Sequence, residues 1–146
     1  MLGAERIERL RTGLRWALAV VFLVAGFAHL FAPAGFVAIT PAWVPFPDQT
    51  ILLTGLAELA GALALFNRRL RPWAGGALAL YAVCVFPANI RHALESVPVG
   101  GTRLGWGYHG PRLAFQPVIV WWALFASGLV DWPFRRWLVA RPDISN

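Results

Sequence analysis

Glu58 interrupts the apolar segment Thr50–Phe66 (TILLTGLAELAGALALF) near its middle. A carboxylate at the centre of a membrane-length helix costs at least about 2.5–3.5 kcal/mol, so such a residue usually turns inward, is paired, and is often used. It could carry a proton or hold a cationic or hydrogen-bonding ligand group. His29, in the last turn of an earlier apolar run, could act as a proton relay or a metal ligand. Thr54, Asn89, His92, Arg112 and Gln116 are polar interruptions of the same kind and could hold a ligand's polar atoms. Each residue has a structural alternative. Glu58 could bond Arg112, Asn89 or a hydroxyl as interhelical glue, and His29 could bond a loop carbonyl. Asn89 could repair the backbone gap left by Pro87, as Gln116 could beside Pro117. Arg112 could snorkel to lipid phosphate.

Spacing groups these residues. Positions three or four apart share a helix face. Gly26 and His29, Thr54 and Glu58 with Gly61, Asn89 and His92, and Arg112 and Gln116 each make one such stripe. No metal ligand is expected, since His29, His92 and His109 follow no ligand motif. A haem spanning His29 and His92 is geometrically allowed but has no motif behind it. Cys84 stands alone, without a CxxC pair, so a self-contained dithiol–disulfide enzyme is excluded. It is expected to pack as a small hydrophobe.

These residues need helices to carry them. The 146-residue chain is 58% hydrophobic and 14% charged, against about 25% charged in a soluble domain. With 8 tryptophans, 14 glycines and 11 prolines, the composition points to a membrane protein. The basic residues are all arginines in short clusters between apolar runs, a pattern that topology explains better than nucleic acid does. Four apolar runs predict helices over about 12–32, 50–66, 72–94 and 112–133 within a single domain, residues 1–146. The polar centre of the second run lowers its hydropathy. The first run could be read as a signal peptide, but its length and its interior Gly26 and His29 favour a retained helix.

Arg6, Arg9, Arg11 and Arg15, then Arg68, Arg69 and Arg71, then Arg135, Arg136 and Arg141 fall on one side of such a bundle. Arg91, Arg103 and Arg112 fall on the other. The positive-inside rule then puts both termini in the cytoplasm. Residues 32–49, with Pro33, Pro41, Pro45 and Pro47, are too apolar for a solvated loop and too short and broken to span. A short interfacial helix or re-entrant piece fits them. Residues 95–111 read as an ordered interfacial lid or hairpin, or as a flexible loop. Alternating helix directions put Glu58 about 12 Å from the outer end of its helix. His29, Asn89, His92, Arg112 and Gln116 fall in the same outer half. The expected fold is an all-α, polytopic membrane four-helix bundle with a polar pocket opening outward.

The segment GFAHLFAPAGFVAITPAWVPFPDQTILLTGLAELAGALALF resembles the start of the DoxX-like family of small four-helix bacterial membrane proteins. The resemblance rests on Gly26-x-x-His29, a proline loop, Gly55-x-x-Glu58, the FPAN of Phe86–Asn89, and Arg112, Leu113 and Gln116 opening the last helix. It covers most of residues 12–134. The sequence departs from the family pattern after FPAN, where IRHAL follows, and at Ala114, where a proline is usual. The resemblance implies a multi-pass protein of the bacterial inner membrane. It associates the chain loosely with sulfur and thiol oxidation and with electron passage to quinone.

The expectation is therefore a redox-associated membrane protein that binds a quinone-like or other lipophilic small molecule in its outer-half pocket. It would work with a redox protein partner or as a homo-oligomer. Glu58 and His29 are the candidate catalytic pair, with Asn89, Arg112, Gln116, His92 and Thr54 as ligand-binding residues. A component of a quinone- or thiol-linked oxidoreductase system suits this better than a complete enzyme. The cofactor stays unidentified, with a quinone the candidate and haem disfavoured. The alternatives are a non-enzymatic module that binds or transports a small amphiphile, and a structural assembly subunit.

Overall fold

The computed structural model describes residues 2–134, and every regular element within them is an α-helix. In chain order these are α1 (Leu2–Phe31), α2 (Pro33–Ile39), α3 (Pro47–Ala64), α4 (Arg71–Glu95) and α5 (Trp106–Ser127). The arginine cluster Arg135, Arg136 and Arg141 lies outside the described residues. Prolines open α2, α3 and α4 at the first or second position, where the missing N–H would have had no helical partner anyway. Gly128, at φ 85°, closes α5 by adopting the left-handed conformation.

Four boundaries differ clearly from the sequence expectation, the smallest of these shifts being at α3, which begins at Pro47 rather than residue 50. α1 begins at Leu2, because its basic leader is built of Glu, Arg and Leu, which propagate a helix well. α5 begins at Trp106, so the second half of the 95–111 connection is helical, while Val99 and Thr102 pair in an isolated bridge before it. α5 also ends at Ser127, short of residue 133. Of the proline-rich 32–49 segment, residues 33–39 form the expected short helix, α2, a turn follows, and residues 47–49 already belong to α3.

α1 packs along α3, and α4 along α5, giving two leaves; contacts between the leaves, α1 to α5 and α3 to α4, are less extensive. Glycines set the spacing within the first leaf. A Cβ on Gly55 would lie 2.8 Å from the Cβ of His29, and one on Gly26 would lie 2.9 Å from the Gly55 carbonyl. The leaves share a core that includes Leu18, Phe22, Ala62, Leu65, Leu78, Ala79, Ala123 and Ala126. The same end is tied by polar contacts. Arg11 bridges to Asp131 at 2.5 Å, Trp122 Nε1 donates to the Leu14 carbonyl at 3.0 Å, and Arg71 Nε donates to the Leu65 carbonyl at 3.0 Å. The opposite end is held by Arg91, which donates to the Thr40 carbonyl and reaches Glu95 at 2.8 Å.

The outer surface inverts the usual soluble pattern. Large apolar side chains face outward on all four long helices, among them Trp16, Val24, Leu53, Leu63, Trp73, Leu80, Phe115 and Val118. Arg15, His29, Glu58, Asn89, His92, His109 and Gln116 are buried. Two helices, α1 and α4, are long and apolar enough to cross a membrane.

Candidate functional site

Between the two leaves lies a cavity of about 720 Å³. Its polar lining comes from every element: His29 of α1, Thr40 after α2, Thr54 and Glu58 of α3, Tyr81 and Asn89 of α4, and Arg112 and Gln116 of α5. Apolar residues such as Val21, Phe22, Phe36, Val85, Phe115 and Ile119 make up the rest of the wall. Six of the seven expected site residues therefore converge on one space. His92 is the exception.

The first wall centres on Glu58, which is 3% exposed. His29 Nδ1 lies 2.9 Å from Glu58 Oε2 and 2.8 Å from the carbonyl of Ala25, one turn back on its own helix. A carbonyl only accepts, so Nδ1 carries a hydrogen, and that hydrogen is directed to Ala25. Glu58 Oε2 is thus close to the imidazole yet buried without a hydrogen bond. Phe36 of α2 stacks on the His29 ring at 3.9 Å between centroids and fixes its plane. This pairing exists because Gly26 and Gly55 let α1 and α3 approach closely. Tyr81 faces Glu58 and Thr54 from the opposite leaf. Sequence reasoning missed Tyr81; the available signal was a tyrosine inside an apolar run, whose buried hydroxyl must find a partner.

The second wall is an amide pair. Asn89 Nδ2 donates to Gln116 Oε1 at 3.0 Å, and Gln116 Nε2 donates to the carbonyl of Ala82. Pro87 frees the Val83 carbonyl and loosens the helix around it. The side chain that reaches this stretch is Gln116, from the neighbouring helix, while Asn89 orients it.

Arg112 does not meet Glu58 in a salt bridge. Its Nη1 lies 3.0 Å from His92 Nδ1, and its guanidinium lies over the Tyr108 ring at 5.7 Å. An arginine can only donate, so His92 Nδ1 accepts and the His92 proton sits on Nε2. His92 is held behind the cavity wall against His109, with ring centroids 4.6 Å apart. His92 Nε2 and both His109 nitrogens are buried without partners. Cys84 also differs from expectation: it is exposed and lines the cavity. Among the described residues, no three His, Cys, Asp or Glu side chains converge as a metal site would require.

A family model described as a domain of unknown function (DUF8561) matches residues 18–127, a span that contains the whole cavity lining. No curated protein and no solved structure matches the chain.

Proposed function

The chain belongs to this family of unknown function, and we propose that it is a polytopic inner-membrane protein of four spanning helices that binds a lipophilic small molecule. α1, α3, α4 and α5 are the spans, and α2 is the interfacial piece. The inverted surface supports this reading. A soluble bundle would not leave Trp16, Val24, Leu53, Leu80 and Phe115 exposed while burying Glu58, Asn89, His92 and Gln116. The observation that carries the binding function is the cavity itself, an apolar chamber with a few convergent polar groups.

The preferred ligand is quinone-like. Glu58, Thr54 and Tyr81 would meet one ring oxygen, and Arg112 with Asn89 the other. Oxidation of a quinol releases protons as electrons pass to a partner redox protein. Glu58 would accept one proton and the second would leave to water; His29 would relay by taking a proton at Nε2 and passing its Nδ1 proton to Glu58 Oε2, 2.9 Å away. Nothing in this scheme needs the partnered amides to react; they set the height of the chamber. The likeness to the DoxX-like family agrees with it and is itself part of the proposal. A non-enzymatic amphiphile carrier would use the same chamber without the proton step.

The test is titration of the protein in lipid nanodiscs with decyl-tailed, fully substituted benzoquinone, read by tryptophan fluorescence, since Trp43 lines the cavity. Saturable binding is expected, with Glu58→Gln weakening it at least tenfold, about 1.4 kcal/mol or more. Equal binding by the variant would remove Glu58 from the site.

A further inference from the structure

The cavity lies between the two leaves beside their shared core, and its rim differs from side to side. On the α1–α5 side the rim is bulky: Val21, Phe22, Phe115 and Ile119 line the cavity there. On the α3–α4 side the rim is small. α4 contributes Cys84, Val85 and Ala88, and α3 contributes Thr50 and Thr54, none of them aromatic. Deeper along the same seam the two helices close, because Gly61 admits Leu78: a Cβ at Gly61 would fall 2.7 Å from Leu78 Cδ2. Above it, α4 contains Pro87, and a proline inside a helix bends it. Cys84 lines the cavity and is exposed, as Val21 and Phe115 are on the opposite rim, but its side chain is smaller than theirs and leaves the wider opening. Its neighbours on the outer face are Leu80 and Val83, 64% and 54% exposed. What surrounds this gap is therefore an apolar surface.

We propose that the cavity is entered sideways from the hydrocarbon layer, through the gap between α3 and α4 at Cys84, and that its ligand is a tailed amphiphile. The polar head sits between Glu58 and Arg112, and the apolar tail leaves past Cys84 into lipid. This rests on the membrane-embedded reading above, but not on the head being a quinone. A tail in the gap needs no polar partners, which suits Cys84, Ala88 and Val85. A purely water-borne ligand would have to cross the apolar outer belt to reach the same gap.

Glu58 supplies the test, because hydrophobic carbodiimides modify carboxyls in bilayers. The protein in native membranes is treated with dicyclohexylcarbodiimide or with a water-soluble carbodiimide, and the adduct on the Glu58 peptide is measured by mass spectrometry. The hydrophobic reagent is expected to modify Glu58 at least fivefold faster than the soluble one. Cys84→Trp, which plugs the gap, should slow it at least fivefold. Val118→Trp, on the outer face of α5 and outside the cavity lining, should leave it within twofold. Blocking the unsubstituted protein with N-phenylmaleimide at Cys84 should reproduce the slowing without any risk to folding. Faster reaction with the soluble reagent, no modification at all, or slowing by Val118→Trp rather than by a blocked Cys84 would overturn lateral entry. Failure of quinone binding with a positive carbodiimide result would reject only the head group.

Discussion

Glu58 is held beside a histidine and spared an arginine, and that difference decides what it can do. An Arg112 ion pair would have been a permanent countercharge. His29 is a partner whose charge can change, and its Nδ1–H is already bonded to Ala25, so the carboxylate oxygen beside it, Oε2, is buried without a hydrogen bond. Tyr81 completes the group from the other leaf. Tyr81→Phe should preserve the fold and weaken decyl-benzoquinone binding several-fold in the same nanodisc titration; unchanged affinity would remove the phenol from the site. The amide pair has a different role. Gln116→Leu leaves both Asn89 and the Ala82 carbonyl without this partner, and should cost about 1–3 kcal/mol of stability in a reversible unfolding titration. Adding Asn89→Leu should cost less than the sum of the two single changes, since one orphan is removed. The polar members of the site were legible because their types are expensive among apolar neighbours. Tyr81 and Cys84 were not, because an aromatic ring and a thiol look like core in any hydrophobic run. His92 was grouped with Asn89 by its spacing of three, but it sits almost a full turn further along and is drawn behind the wall by Arg112 and His109.

At the scale of elements, the apolar runs announced the long helices and the prolines announced α2. The start of α5 was hidden, since Gly105, Gly107, Gly110 and Pro111 signal a loop. Glycine weakens a helix by only about 1 kcal/mol relative to alanine, a cost that packing of Tyr108 and His109 against His92 can offset. The close approach of α1 and α3 was visible only as two glycines, each three residues before a polar group. Their consequence needed the three-dimensional contact. Gly55→Leu should therefore do more than lower the melting temperature. Overpacking of this kind costs about 1–3 kcal/mol, and it also moves His29 away from Glu58, so ligand affinity should fall even where the variant is fully folded. A destabilised variant with native affinity would show that the pair is not needed for binding.

The whole molecule is two helical leaves, clasped at one end by an alanine- and leucine-rich core, with a chamber between them toward the other end, where Arg91 holds the Thr40 carbonyl. The proposed topology puts the clasped end, with its arginines, toward the cytoplasm. In a Cys84→Ser background, a cysteine at Gly100 should react with an impermeant maleimide in intact cells, and one at Arg68 only after permeabilisation; the reverse pattern would invert the bundle. The central claim is that the chamber holds a lipophilic molecule by Glu58. Native mass spectrometry of the protein released from mild detergent tests it most directly. The account predicts a bound lipophilic molecule at one copy per chain, carried by the unsubstituted protein and lost from Glu58→Gln at equal folding. A chain that flies without any such adduct, or a variant that retains it in full, would contradict the account.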